Sequence, residues 1–195
     1  MGTRRRLIDC ASELLDSEGV EAVTLRRIAK RAGVSHGAPL RHFAGRAQLL
    51  SAVATLGFQE LYGRKDELPD GSPREVLLAA CHSYVDFALA RPARFELMFR
   101  HDLIDPADPE LVRHSSAVFD LFAGMVAAVP SAGWRAGTDP RLAAASLWAA
   151  LHGLARLWLW GGLAEASFAP DVTAVLAVTL ESYLDQRVDM INHCP

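Results

Sequence analysis

Apolar positions at the start of the chain follow a helical rhythm. In residues 4–18, Leu7, Ile8, Ala11, Leu14 and Leu15 fall on one stripe at i, i+3/i+4, i+7 spacing. Thr3 is placed to cap the start of this helix and Gly19 its end. A second stripe, Leu25, Ile28, Ala29 and Ala32, follows Thr24, a natural N-cap, and Gly33 ends it with Val34 as the apolar residue beyond. Ser35 is the next natural cap, which predicts a third short helix running to about Phe43. Gly37 and Pro39 fall in its first turn, where most N–H groups lack a helical partner in any case.

From Gly45 the pattern predicts a longer linking helix, and the run PDGSP at 69–73 is the clearest break in the chain. Ser72 before Pro73 gives a cap followed by proline at the first helical position. Further helices are predicted over 73–90, 92–101, 108–128, 139–163 and 171–187, with a frayed C-terminal tail. There is no β-alternation and no internal repeat, so the predicted fold class is all-α. Residues 142–163 are apolar enough to imitate a membrane span. They carry His152 and Arg156 near the middle, and a midplane arginine costs about 2.5–3.5 kcal/mol. A helix buried between other helices is the better reading, and no membrane partner is expected.

Charge sharpens this picture. The net charge of −3 hides nine Arg/Lys against five Asp/Glu in residues 1–50, a balance of +4, and 11 against 18 in the remainder, a balance of −7. A basic head on an acidic body points to a localised polyanion contact. The chain is 51% hydrophobic and 22% charged, which supports a packed core rather than disorder. Cys10, Cys81 and Cys194 are scattered and odd in number, with no CxxC pair, so neither a disulfide framework nor a zinc site is expected. Leu7 and Ile8 run straight into Asp9 rather than into a signal-peptide core, and a cytoplasmic location fits.

Two short helices joined by Gly33-Val34-Ser35 have helix-turn-helix spacing. Ile28, Ala29, Val34 and Phe43 are expected to pack against Leu7, Ala11 and Leu14, leaving the second helix to read base edges in the major groove of duplex DNA. Arg4, Arg5, Arg6, Arg26, Arg27, Lys30, Arg31, Arg41 and Arg46 are candidates for neutralising phosphates.

The run from Thr24 to Leu50, TLRRIAKRAGVSHGAPLRHFAGRAQLL, resembles the helix-turn-helix of the TetR family of one-component transcriptional regulators. That family shows T-x-x-x-I-A-x-x-A-G-V-S, a short helix ending Tyr-x-His-Phe, then Lys and a Leu-Leu pair. Residues 147–155, LWAALHGLA, resemble a Trp-x-x-x-His-Gly motif of one subgroup of the family's ligand domains, and RFELMF before them is also typical. The resemblance implies a three-helix DNA-binding domain over 1–46 and a helical-bundle ligand-binding and dimerisation domain over 47–195. It places Thr24 as a cap that touches a phosphate and Arg26 near a base or phosphate. Ser35, His36, Gly37 and Ala38 fall where the recognition helix meets the groove. Arg41 flanks that surface, and His42 and Arg46 fall on phosphate-contact positions, Arg46 replacing the commoner lysine. Leu40 stands in place of the usual tyrosine. It is expected to keep the packing while losing a hydroxyl bond to phosphate worth about 1 kcal/mol.

The body is rich in large side chains, including Met125, Trp134, Trp158 and Trp160. Ordinary core accounts for most of them; the resemblance implies in addition an apolar cavity with a few polar groups. The candidate ligand-binding residues are Tyr84, Phe87, Phe95, Met98, Phe99, Phe119, Phe122, Trp148 and His152, with His101 and His114 as further polar candidates. For His152 a core histidine hydrogen-bonded to backbone is the preferred reading over a ligand contact. Ala145, Ala149 and Gly153 recur every four residues and, with the last helix, resemble the family's dimerisation face. No serine elbow, phosphate loop or metal-ligand spacing is present, so no catalytic residue, metal or cofactor is expected and the chain is not read as an enzyme. The expected function is a repressor that binds a palindromic operator as a homodimer and is released by a small apolar or aromatic molecule. The alternatives are a helical small-molecule-binding protein or enzyme without sequence-specific DNA binding, and a helical protein–protein adaptor.

Overall fold

The computed structural model describes residues 2–130 and 137–184. Its helices are α1 (Thr3–Glu18), α2 (Leu25–Arg31), α3 (Arg46–Gly63), α4 (Pro73–Ala90), α5 (Pro92–Met98), α6 (Pro109–Ala128), α7 (Pro140–Leu159), α8 (Gly162–Ser167) and α9 (Val172–Leu184). Single 3-10 turns lie at Val20–Ala22, Pro39–Arg41 and Arg64–Glu67. There is no strand among the described residues. Trp134, Cys194 and the predicted helix end at Arg187 lie outside the described residues.

Local chemistry sets most of the boundaries. α1 ends at Gly19, whose φ of 81° is a left-handed conformation open to glycine. Its start differs from expectation: Thr3 is already helical, Gly2 is the cap residue, and no side chain caps it. At α4 the Ser72 hydroxyl accepts the Glu75 N–H at 3.4 Å while the Glu75 carboxylate accepts the Ser72 N–H at 2.8 Å, a reciprocal capping box. The Asp139 carboxylate accepts from the N–H groups of Arg141 and Leu142 and starts α7, with Pro140 at its first position. The helix predicted over 139–163 breaks at Gly161, which is left-handed at φ 84°, and α8 resumes beyond it. The helix predicted over 92–101 stops at Met98, where Phe99 and Arg100 turn back on Glu96 and Leu97 with tighter bonds.

The chain divides into two compact units, Met1–Glu67 with Phe87–Phe119 and Leu68–Asp86 with Asp120–Pro195. In the first, α1 and α5 pack against α3 around buried Leu7, Leu14, Ile28, Leu49, Leu50 and Phe95. Gly57 makes the α3–α5 approach close, since a Cβ there would come within 2.5 Å of the Met98 sulfur. In the second, α7 packs against α8 and α9 and buries Ala143, Ala144, Leu147, Leu151, Leu154 and Ala155. α7 is not enclosed all round, as the apolar run suggested: Leu142, Leu157 and Trp160 are exposed. α6 and α7 both have the length and apolar character of a membrane span, and α7 uses that character on its packed face.

Candidate DNA-binding surface and body cluster

The helix-turn-helix is assembled by its turn. The Thr24 hydroxyl accepts the Arg27 N–H at 3.3 Å and caps α2. At the other end the N–H of Gly33 reaches the Lys30 carbonyl at 3.2 Å and the N–H of Val34 reaches the Ala29 carbonyl at 3.0 Å. Those paired bonds form a Schellman motif, and Gly33 meets its requirement with φ 66°.

The expected third helix is a turn followed by one 3-10 turn, Pro39–Arg41. Proline explains the difference. The Ser35 carbonyl would bond the N–H of residue 39 in an α-helix, but Pro39 has none, so it accepts the Ala38 N–H at 2.9 Å. Arg41 and His42 then bond Ala38 and Pro39 in the same three-residue register. Pro39 and Phe43 are buried and anchor the segment, and the Arg4 guanidinium lies 5.2 Å over the Phe43 ring. Ser35, His36, Gly37, Arg41 and His42 are exposed together, and Ala38 is half-buried. Leu40 does not keep the packing expected of it: Pro39 and Phe43 occupy the core-facing positions, and Leu40 is 62% exposed.

The basic residues sort into two groups. Arg5 pairs with Asp9 at 2.8 Å, Arg27 with Glu18 at 2.8 Å and Arg31 with Glu13 at 3.0 Å. Exposed pairs of this kind contribute about 0–1 kcal/mol each, so a phosphate can displace them. Arg26, Lys30 and Arg41 are exposed and have no ion pair among the described residues. Arg46, expected on a phosphate-contact position, has internal partners. Its Nε donates to the Val23 carbonyl at 2.8 Å and its Nη2 to the Val20 carbonyl at 2.7 Å, so the fork is turned into the protein.

In the second unit the structure brings three ligand candidates together. The Trp148 Nε1–H donates to the Tyr84 oxygen at 3.0 Å, and that oxygen lies 2.9 Å from His152 Nδ1. Trp148 can only donate, so the Tyr84 oxygen accepts that bond, and the direction of the Tyr84–His152 bond follows the imidazole tautomer. Burial, then the Arg156 charge one turn along, lowers the His152 pKa; burial raises that of Tyr84, partly offset by the Trp148 bond. The result is a neutral, part-buried hydrogen-bond chain. Tyr84→Phe deletes the oxygen on which both bonds meet, and a loss of about 1–3 kcal/mol in urea unfolding is expected. A histidine with a lowered folded pKa contributes its full stability above the unfolded value of about 6.5 and loses it as pH falls through the folded value. Melting temperature should therefore drop on acidification, and by less in His152→Asn.

The other candidates fall elsewhere. Phe87, Phe95 and Phe99 form an edge-to-face ladder with Phe58 in the first unit, at ring separations of 5.4–6.4 Å, and Met98 is buried beside Gly57. Phe119 and Phe122 are half-buried on α6, and His101 is exposed. His114 is 3.0 Å from the Gln59 amide and 2.9 Å from Arg113. A shallow apolar hollow of about 550 Å³ lies beside Pro73, Val76, Leu121 and Met125 and is not lined by the predicted ligand residues. Sequence reading missed Arg94, which gathers Ser12, Asp16 and Glu60; its partners lie 34 to 82 residues away along the chain, beyond any local pattern.

Comparison with known proteins agrees with this geometry. Residues 7–53 match the family of bacterial regulatory proteins described as the tetR family, and residues 77–183 match the tetracyclin repressor-like C-terminal domain. The HTH-type transcriptional regulator TtgR of Pseudomonas putida is 28% identical over 99% of this chain and 93% of its own length. The uncharacterised HTH-type regulator YobS of Bacillus subtilis is 29% identical over 51% of this chain, which spans about half (54%) of that relative. A solved structure of a protein of unknown function from Rhodococcus sp. RHA1 has a TM-score of 0.77 and 31% identity over 94% of both chains. These family domains and relatives are regulators of transcription rather than enzymes. The chain belongs to the TetR family of helix-turn-helix, DNA-binding transcriptional regulators.

Proposed function

We propose that the chain is a cytoplasmic repressor that binds a palindromic operator as a homodimer and leaves it when a small apolar or aromatic molecule enters its body. Residues 1–46 bind the DNA; residues 47–195 bind the ligand and dimerise. The observation that carries the reading is the exposed tip after Gly33. Ser35, His36, Gly37, Ala38 and His42 crowd there beside Arg41, with Thr24 and Arg26 at the start of α2. Two such tips in successive major grooves discriminate better than one, because a single short segment touches few base pairs. The small residues Ala145, Ala149 and Gly153 on α7 and the exposed Val178 on α9 support a close helical interface with a second copy. The Trp148–Tyr84–His152 chain offers the polar element of an otherwise apolar ligand site in the second unit. The ligand acts by preferring one spacing of the two tips, and its differential affinity limits the shift.

The test is selection of duplexes from a random pool by the full-length protein, followed by anisotropy titrations across salt. A palindromic consensus is expected. Arg41→Ala should weaken binding to all duplexes and reduce the magnitude of the salt slope by about 0.9 for each phosphate that is no longer neutralised, while His36→Ala should change preference among sequences. Enrichment of no sequence at moderate salt would overturn the reading.

A further inference from the structure

Leu40 is the only large apolar side chain exposed among the described residues of 1–67; the others, Val112 to Val178, all lie later in the chain. Its surroundings single it out further. His36, Gly37, Leu40 and Arg41 are exposed, while Pro39 and Phe43 are buried, so the exposed surface of this turn carries one large aliphatic side chain. The backbone there is held by the bonds of Arg41 to Ala38, His42 to Pro39 and Phe43 to Pro39. Leu40 therefore projects from an anchored backbone on the surface proposed above to enter the major groove.

A leucine there has no hydrogen bond to offer. The base edges of the major groove present donors and acceptors and one apolar group, the C5-methyl of thymine. We infer that Leu40 is a specificity residue that reads one thymine in each half-site through its methyl group. The inference rests on the DNA-binding reading and goes beyond it by naming the base and the atom recognised. It also gives the departure from the family's tyrosine a different sense, in which a backbone contact is exchanged for a base contact.

Uracil differs from thymine in duplex DNA only by that methyl, so the test exchanges the one for the other. The full-length protein is titrated against its selected duplex with each thymine replaced singly by deoxyuridine. For the wild-type chain, one position per half-site should weaken binding about fourfold, the worth of one buried methyl group, with the rest unchanged. Leu40→Ala should bind the all-thymine duplex more weakly by a similar factor, be indifferent to uracil at that position and keep the wild-type melting temperature. Three results would overturn the inference: a uracil profile identical in wild type and Leu40→Ala, a Leu40→Ala variant weakened equally on every duplex, as packing on sugars would give, or one not weakened at all. Selection of no duplex by the wild-type chain would remove the DNA-binding reading itself, whereas a selected duplex with a Leu40-independent profile removes only this inference.

Discussion

Arg94→Ala should lower the stability of the chain by about 3 kcal/mol, seen as a lower urea midpoint. The side chain is 11% exposed and joins three helices. Its Nη2 donates to the Ser12 hydroxyl and the Asp16 carboxylate of α1, each at 2.6 Å, and its Nη1 to the Glu60 carboxylate of α3 at 2.8 Å. α5, which carries it, is only seven residues long and holds its shape by packing rather than by its own helical bonds. Removing the guanidinium leaves two carboxylates facing each other's helices without their common cation. Both are about a third exposed and regain some water, which places the loss at the lower end of the 3–5 kcal/mol typical of a broken buried pair. Arg94→Lys should recover less than half, because a single ammonium cannot reproduce the planar fork across three acceptors. A loss below about 1 kcal/mol for Arg94→Ala would show that burial of Phe95 and Met98 alone seats α5.

The contrast between Arg94 and Thr24 shows where sequence reading reaches. The cap at Thr24, the turn at Gly33 and the Ser72–Pro73 start of α4 each depend on neighbours within a few residues, and each was legible. The apolar stripe of α1 was legible for the same reason, since burial of Leu7, Ala11 and Leu14 repeats at the helical period. The form of the recognition segment was half legible. The proline was plain, but its effect on the Ser35 carbonyl, which turned a predicted helix into a 3-10 turn, depends on which donor remains within reach. Long-range pairings left no periodic trace. Phe87, Phe95 and Phe99 meet Phe58 edge to face, and Tyr84, 64 residues before Trp148 and 68 before His152, joins both in one hydrogen-bonded chain. Exposure of Leu40 follows from Pro39 and Phe43 taking the inward positions, which only the folded turn decides.

Arg46 is the residue whose meaning the structure changes most, and its replacement gives a two-sided test. Arg46→Ala should weaken binding to the selected duplex at least tenfold and lower stability by about 2 kcal/mol, the value of charge-assisted bonds at a site 33% exposed. The guanidinium bonds the carbonyls of Val20 and Val23, immediately before the Thr24 cap of α2, from the first residue of α3. It thereby ties the two ends of the helix-turn-helix together, and without it the angle of the recognition tip is no longer fixed. Glu21, 3.9 Å away and largely in solvent, adds little. A phosphate role and a tying role predict opposite results. On a phosphate, lysine would serve, and Arg46→Ala would reduce the magnitude of the salt slope by about 0.9 for the one phosphate left bare. As a tie, lysine recovers little, because its point charge cannot match two carbonyls held by separate donors of one rigid fork. The expected outcome is therefore an Arg46→Ala slope equal to that of the wild type, with the affinity loss shared by Arg46→Lys and tracking the loss of stability. Full rescue by lysine together with a reduced slope would return Arg46 to the phosphate backbone.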